Sequence, residues 1–133
     1  MEIGFLGCGK IGKTLLKEVQ DQGYGHISFI QDPFADPDAF QALAPEVPVP
    51  READPALYEK TDLIIETATA DALSQQLDLI LEHCDLLMFS VTAFSDPAFD
   101  ARVRDLCQRC GHHVYLPHGA ILGLDGIFDG RPL

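Results

Sequence analysis

The amino-acid sequence predicts an α/β fold, a Rossmann-type doubly wound and mostly parallel sheet with helices on both faces. Three observations predict it. Short apolar runs alternate along the chain with longer segments whose apolar residues recur at helical spacing. The connections are brief and marked by Gly, Pro or Asp. Alternation of this kind demands parallel strands joined by right-handed crossovers, and therefore a sheet covered on both sides. At 133 residues the chain fits one such domain.

The elements follow in order. Residues 3–6 are apolar and run into Gly7, as a buried strand entering a turn does. Ile11, Leu15, Leu16 and Val19 then mark the inward face of a helix closed by Gly23 and Gly25. Residues 26–30 are β-branched and aromatic enough for a second strand, stopped by Gln31-Asp32-Pro33. Asp36-Pro37 reads as an N-cap and first helical residue, leading to Ala39, Phe40 and Leu43. Three prolines among residues 45–50 leave room for at most a short edge strand at 47–49.

Asp54-Pro55 opens a further helical turn through Leu57 and Tyr58. Residues 62–68 hold Leu63-Ile64-Ile65, the continuous apolar character of a strand buried on both faces. Leu73, Leu77, Ile80, Leu81 and Cys84 trace one helix face, and residues 86–91 form another strand. Ser95 is expected to cap a helix with Asp96 and Pro97 in its first turn and Phe99, Val103, Leu106, Cys107 and Cys110 inward. Residues 114–116 make a last short strand before a glycine-rich tail.

Composition narrows the function classes. Apolar residues are 47% of the chain, enough to cover a small sheet, and this excludes a disordered chain. Twenty-one acids against nine bases give a net charge of −12, a field that repels nucleic acid. No apolar run is long enough to cross a bilayer, so no membrane partner is expected. The N-terminus has no signal-peptide pattern, so a cytoplasmic protein is expected, with reduced thiols at Cys8, Cys84, Cys107 and Cys110. Cys107 and Cys110 with His112 and His113 make a single cluster, whereas a structural zinc site wants two separated ligand pairs. They read as core residues, and no metal is expected.

Gly7-Cys8-Gly9-Lys10-Ile11-Gly12 matches the G-x-G-x-x-G pattern in the context that gives it meaning, after a strand and opening a helix. Gly7 permits the tight turn, Gly9 lets backbone amides approach a diphosphate, and Gly12 lets the helix pack closely. Unpaired N–H groups at the helix start then bind the anion. Lys10, Lys13 and Lys17 are three of only four lysines. They form either a solvated helix face or a local positive field near the phosphates. Asp32 lies 20 residues after Gly12. It is placed either to accept hydrogen bonds from the adenosine ribose or to cap the turn before Pro33. In the first role it repels a 2′-phosphate, and no base follows until Arg51, so NAD is expected over NADP.

Further stretches are distinctive: Asp62-Leu63-Ile64-Ile65-Glu66-Thr67-Ala68, Ser90-Val91-Thr92-Ala93-Phe94, and Pro117-His118-Gly119-Ala120 followed by Gly123-Leu124-Asp125. With the glycine motif, and in this order, they resemble the L-aspartate dehydrogenase family and, more distantly, the cofactor domains of homoserine dehydrogenases. The resemblance implies hydride transfer from L-aspartate to NAD(P), giving iminoaspartate and then oxaloacetate and ammonia. It places Gly119 and Ala120 on the nicotinamide side and Thr67, Ala68 and Ser90 near the strand ends. His118 stands where that family usually has serine; it either donates a hydrogen bond toward nicotinamide or substrate, or is a loop residue without a role.

Members of the resembled family run on for roughly another hundred residues, a length typical of a further domain. That part supplies the catalytic histidine, while this sequence stops at Leu133. None of His26, His83, His112, His113 and His118 sits in a clear carboxylate-paired motif, so no catalytic residue is assigned. Residues 1–120 are expected to form the dinucleotide domain and residues 121–133 to begin a segment leading onward. Its Ile121, Leu122, Leu124, Ile127 and Phe128 suit a homodimer or partner-domain contact. Two functions fit: the cofactor half of an aspartate-dehydrogenase-like enzyme acting on L-aspartate or a related amino acid, inactive alone, or a stand-alone NAD(H)-binding module.

Overall fold

The apolar run after Met1 forms β1 (Glu2–Leu6) in the computed structural model, which describes residues 1–34 and 36–117. Then come α1 (Lys10–Gln22), β2 (His26–Gln31), α2 (Pro37–Gln41), α3 (Pro55–Tyr58), β3 (Leu63–Glu66), α4 (Ala70–His83), β4 (Asp85–Met88), α5 (Pro97–Cys110) and β5 (Val114–Tyr115). Among the described residues all four strand pairings are parallel, in the order β2-β1-β3-β4-β5. The order reverses between β1 and β3, and the crevice beyond the carboxyl ends of those strands is where open α/β sheets bind ligands.

Alternating side chains send apolar groups to both faces of the sheet. Ile3, Phe5, Ile27, Ile30 and Ile65 pack with Leu16 and Val19 of α1 and Phe40 of α2. Leu6, Phe29, Ile64, Leu86 and Met88 pack on the other face with Leu73, Leu77, Ile80 and Leu81 of α4 and Phe99, Val103 and Leu106 of α5. Fully burying one such side chain contributes about 1.5–3 kcal/mol.

Several local expectations are corrected. Ile11 is 56% exposed and not part of the inward face of α1. α2 ends at Gln41, which leaves Leu43 at the surface. Residues 47–49 form no strand; prolines 45, 48 and 50 lack the N–H a ladder needs, and what remains is one bond from Ile30 N–H to Pro48 O at 2.9 Å. β4 stops at Met88, and Val91–Ser95 is a 3₁₀ turn with Val91 exposed.

The cap of α5 is Asp96 instead of Ser95, because Pro97 takes the first helical position and the carboxylate before it accepts from Ala98 N–H at 2.9 Å. Cys107 and Cys110 are only half-buried, whereas Cys8 and Cys84 are buried. No helix among the described residues is long and apolar enough to cross a membrane.

Candidate functional site

Where the chain leaves β1 it turns at Gly7, whose φ of +74° only glycine adopts without strain. A β-carbon there would also lie 2.7 Å from the Cα of Ala68. The turn is fastened on both sides: Gly7 N–H donates to Gln31 O at 2.8 Å, and Thr67 Oγ1 donates to Gly7 O at 2.8 Å. At Gly12 a β-carbon would meet Thr67 Oγ1 at 2.7 Å, so the start of α1 packs against the end of β3. Gly9 differs, because a β-carbon there would meet nothing within 4 Å.

Each of the other α-helices among the described residues has a side-chain cap, from Asp36, Asp54, Thr69 and Asp96. α1 begins at Gly9 with no capping side chain and no acid in its first turn. Its first helical bond runs from Lys13 N–H to Gly9 O at 3.0 Å, which leaves the N–H groups ahead of Lys13 without helical partners. Open space at Gly9 and uncapped amides beside it fit an anionic group, with the positive end of the helix dipole behind them. Exposed Ile11 adds an apolar surface at the same helix start.

Cys8 does not share this availability. Its N–H donates to Asp32 Oδ2 at 2.9 Å, and its thiol is buried. Burial above all, with the Asp32 carboxylate adding to it, pushes that thiol up to about 12, Lys13 pulling the other way. A thiol of that kind is inert. Two of the three clustered lysines are engaged by neighbouring side chains. Lys17 pairs with Asp21, and Lys13 lies over the Phe40 ring at 5.3 Å. Lys10, exposed at the helix start, makes no ion pair among the described residues.

Asp32 caps the turn, one of the two roles its position allowed, and adds a bond to the glycine turn. Its Oδ1 accepts from Phe34 N–H at 2.9 Å, which caps the turn, while Oδ2 holds the glycine turn. A carboxylate has about four lone-pair sites, so acceptor capacity remains toward the cleft it lines. That cleft, of about 530 Å³, takes in Gly7, Cys8, Gly9, Asp32, Thr67 and Ala68. Arg51 also lines it, so nineteen residues of sequence separation do not keep this base away from Asp32.

Ser90 sits apart from these, after β4. Its hydroxyl donates to Glu66 Oε1 at 2.7 Å and its N–H to Oε2 at 3.0 Å. Glu66 is wholly buried and also accepts from Ala68 N–H at 2.7 Å and Phe89 N–H at 3.2 Å. This carboxylate joins the chain ends after β3 and β4, and sequence reasoning missed it. The available signal was an acid closing an otherwise apolar strand, with nothing nearby in sequence to neutralise it.

Two histidines do have carboxylate neighbours, contrary to the sequence expectation. His26 Nδ1 lies 2.8 Å from Glu2 Oε2, and His113 Nδ1 lies 3.6 Å from Asp85 Oδ1. Glu2, His26 and Asp85 begin their strands, so both pairs stand at the end of the sheet opposite the glycine turn. His112 Nδ1 is 2.7 Å from Leu81 O. His118, Gly119, Ala120 and the apolar segment after them lie outside the described residues.

Comparison with known proteins agrees with this geometry. Residues 7–117 match the family model described as the NAD-binding domain of homoserine dehydrogenase. The chain is 33% identical to an L-aspartate dehydrogenase of Archaeoglobus fulgidus, over 100% of its own length and 52% of the relative's. It is 32% identical to that of Methanocaldococcus jannaschii, over 96% and 49%. It thus spans about half the length of the curated relatives it matches.

Among solved structures, aspartate dehydrogenase from Thermotoga maritima is similar with a TM-score of 0.71 and 25% identity, covering 97% of this chain and 50% of that one. The WlbA dehydrogenase from Thermus thermophilus, in complex with NAD and α-ketoglutarate, shares the fold with a TM-score of 0.77 and 20% identity, covering 100% and 48%. Glycine turn, cleft and matched length together assign the chain to the homoserine dehydrogenase NAD-binding domain family, in company with the L-aspartate dehydrogenases.

Proposed function

We propose that the chain holds NAD for an oxidoreductase of the L-aspartate dehydrogenase type, in which hydride passes from L-aspartate to the nicotinamide and iminoaspartate hydrolyses to oxaloacetate and ammonia. The observation that carries this is the first helix, uncapped at Gly9 beside open space while the other α-helices among the described residues are capped. There the amides of Gly9, Lys10, Ile11 and Gly12 bind the diphosphate, and Lys10 adds charge against the acidic surface. Asp32 accepts from the ribose hydroxyls and disfavours a 2′-phosphate, so NAD is preferred to NADP, with Arg51 in the same cleft as the counterweight.

The cofactor supplies the hydride acceptor; the chain's own residues bind and orient it. Thr67 and Ala68 hold the glycine turn in place from the end of β3, and Glu66 fixes Ser90 at the end of β4. By the family resemblance, Ser90, Gly119 and Ala120 stand on the nicotinamide side, and residues 121–133 lead on from a dinucleotide unit of residues 1–120. No acid or base of the reaction is assigned to the described residues.

Calorimetric titration with NAD+ and NADP+ tests the binding, and absorbance of NADH formed on adding L-aspartate tests the reaction. Binding of NAD+ in preference to NADP+ is expected. Absence of heat from both nucleotides would overturn the proposal. Binding without turnover is the expectation for this chain by itself, and turnover would place the proton-transfer groups within these 133 residues.

A further inference from the structure

The floor of the cleft carries a hydrogen-bond arrangement that packing alone does not require. Tyr58 is fully buried, and its hydroxyl lies 2.7 Å from Oε1 of Gln31 and 2.7 Å from Oε1 of Gln76. Gln31 closes β2 and is 3% exposed, Gln76 lies on α4, and both line the cleft that holds Asp32. Burial pushes the phenol's pKa up, so it keeps its proton. One proton cannot serve two carbonyls. The phenol donates to one glutamine, and the other turns its amide over to give an N–H to the phenol oxygen.

Neither glutamine side chain has another polar partner among the described residues. Yet no fully buried polar side-chain atom among those residues lacks a partner, so the free end of each amide keeps some exposed surface, and both residues line the cleft. One end is an NH2 group, on the glutamine that accepts the phenol proton. The other is a carbonyl, on the glutamine that is turned. A single shared proton therefore gives the pair one donor and one acceptor among the groups that line the cleft.

We propose that this pair reads the edge of an adenine base, the amide carbonyl accepting from the N6 amino group and the amide NH2 donating to the adjacent ring nitrogen. This rests on the cofactor reading above and names the part of the dinucleotide that the far half of the cleft recognises. Phe34, 95% exposed at the same cleft, supplies an apolar surface that suits a flat heteroaromatic ring. A polar site built for such an edge rejects an analogue that lacks it far more strongly than an apolar pocket rejects a change of shape.

The 1,N6-etheno analogue of NAD+ provides the test, since its two-carbon bridge closes over the amino group and ring nitrogen and leaves sugar, diphosphate and nicotinamide unchanged. The probes are NAD+ and this analogue, titrated by calorimetry into the full chain and into Gln76→Leu and Gln76→Glu. The second variant keeps the side-chain shape but offers only acceptors. The wild-type chain is expected to prefer NAD+ by about tenfold or more, and both variants to lose most of that preference by weakening NAD+ alone. Equal wild-type affinity for the two probes, or a preference that survives in both variants, overturns this inference and leaves the cofactor reading standing. Failure of the wild-type chain to bind either probe overturns the cofactor reading itself.

Discussion

The Cys8 amide and the Asp32 carboxylate, 24 residues apart in sequence, meet at 2.9 Å where the first two strands end. The residue expected to choose the cofactor is therefore also a strut of the turn proposed to bind its diphosphate. Asp32→Ala removes both at once. The expected result is weaker NAD+ binding and a NAD+/NADP+ affinity ratio lowered by about tenfold, the value of one charged hydrogen bond. An unchanged ratio in paired titrations would remove Asp32 from the ribose site. In Arg51→Ala the ratio is expected to move the opposite way, because the base facing a 2′-phosphate is gone.

The glycines separate folding from binding. Gly9→Val puts its side chain into open space at an extended backbone position, so its unfolding midpoint should stay within a few degrees of wild type. Its affinity for NAD+ should fall at least about tenfold, since the branch occupies the approach to the amides. Gly7→Ala should do the reverse in kind, losing about 2–5 kcal/mol of stability from the left-handed backbone and the contact with Ala68. Denaturant melts beside binding isotherms decide both.

Glu66→Ala should destabilise the fold strongly although it removes no apolar packing. It leaves the N–H groups of Ala68 and Ser90 without their acceptor, at about 1–3 kcal/mol for each one that water does not reach, while Phe89 N–H keeps the backbone carbonyl of residue 66 at 3.1 Å. Ser90→Ala removes only a donor from the same carboxylate and should cost about 1 kcal/mol. Chemical denaturation of the pair reads the difference.

Asp78 on α4 pairs with Arg102 on α5, and Arg102 also donates to Ser74 O at 2.9 Å. The hydrogen bond to the guanidinium holds the Asp78 carboxyl below its ordinary 3.8. A depressed carboxylate stabilises the fold at pH values above its unfolded pKa and loses that contribution as acid protonates it in the native state. Asp78→Asn should therefore cost something at neutral pH and nothing once the pH has fallen well below 3.8. With half of the Asp78 side chain exposed, the neutral-pH difference should stay under about 1 kcal/mol. Stability curves of both proteins from neutral to acid pH check the sign.

The sheet and helices were legible because their signals are local. Leu73, Leu77, Ile80 and Leu81 recur at helical spacing and are all fully buried, and Ile64 and Ile65 mark β3 as a two-faced strand. The glycine turn was legible for the same reason. What escaped was set by contacts between distant segments. Arg51 reaches the cleft through a proline-rich excursion, His26 meets Glu2 because β2 pairs with β1, and Glu66 finds donors on residues 68, 89 and 90. The Tyr58 network joins β2, α3 and α4, and no periodicity announces it. Ile11 was misassigned because helical spacing marks a face without saying what will cover it.

Gly7 is anchored through both its N–H and its carbonyl, to β2 on one side and to Thr67 on the other. Such a turn has no slack to take up when a ligand arrives. Its conformational entropy is surrendered during folding, so association incurs no ordering penalty there and should proceed in one kinetic phase without a slow rearrangement.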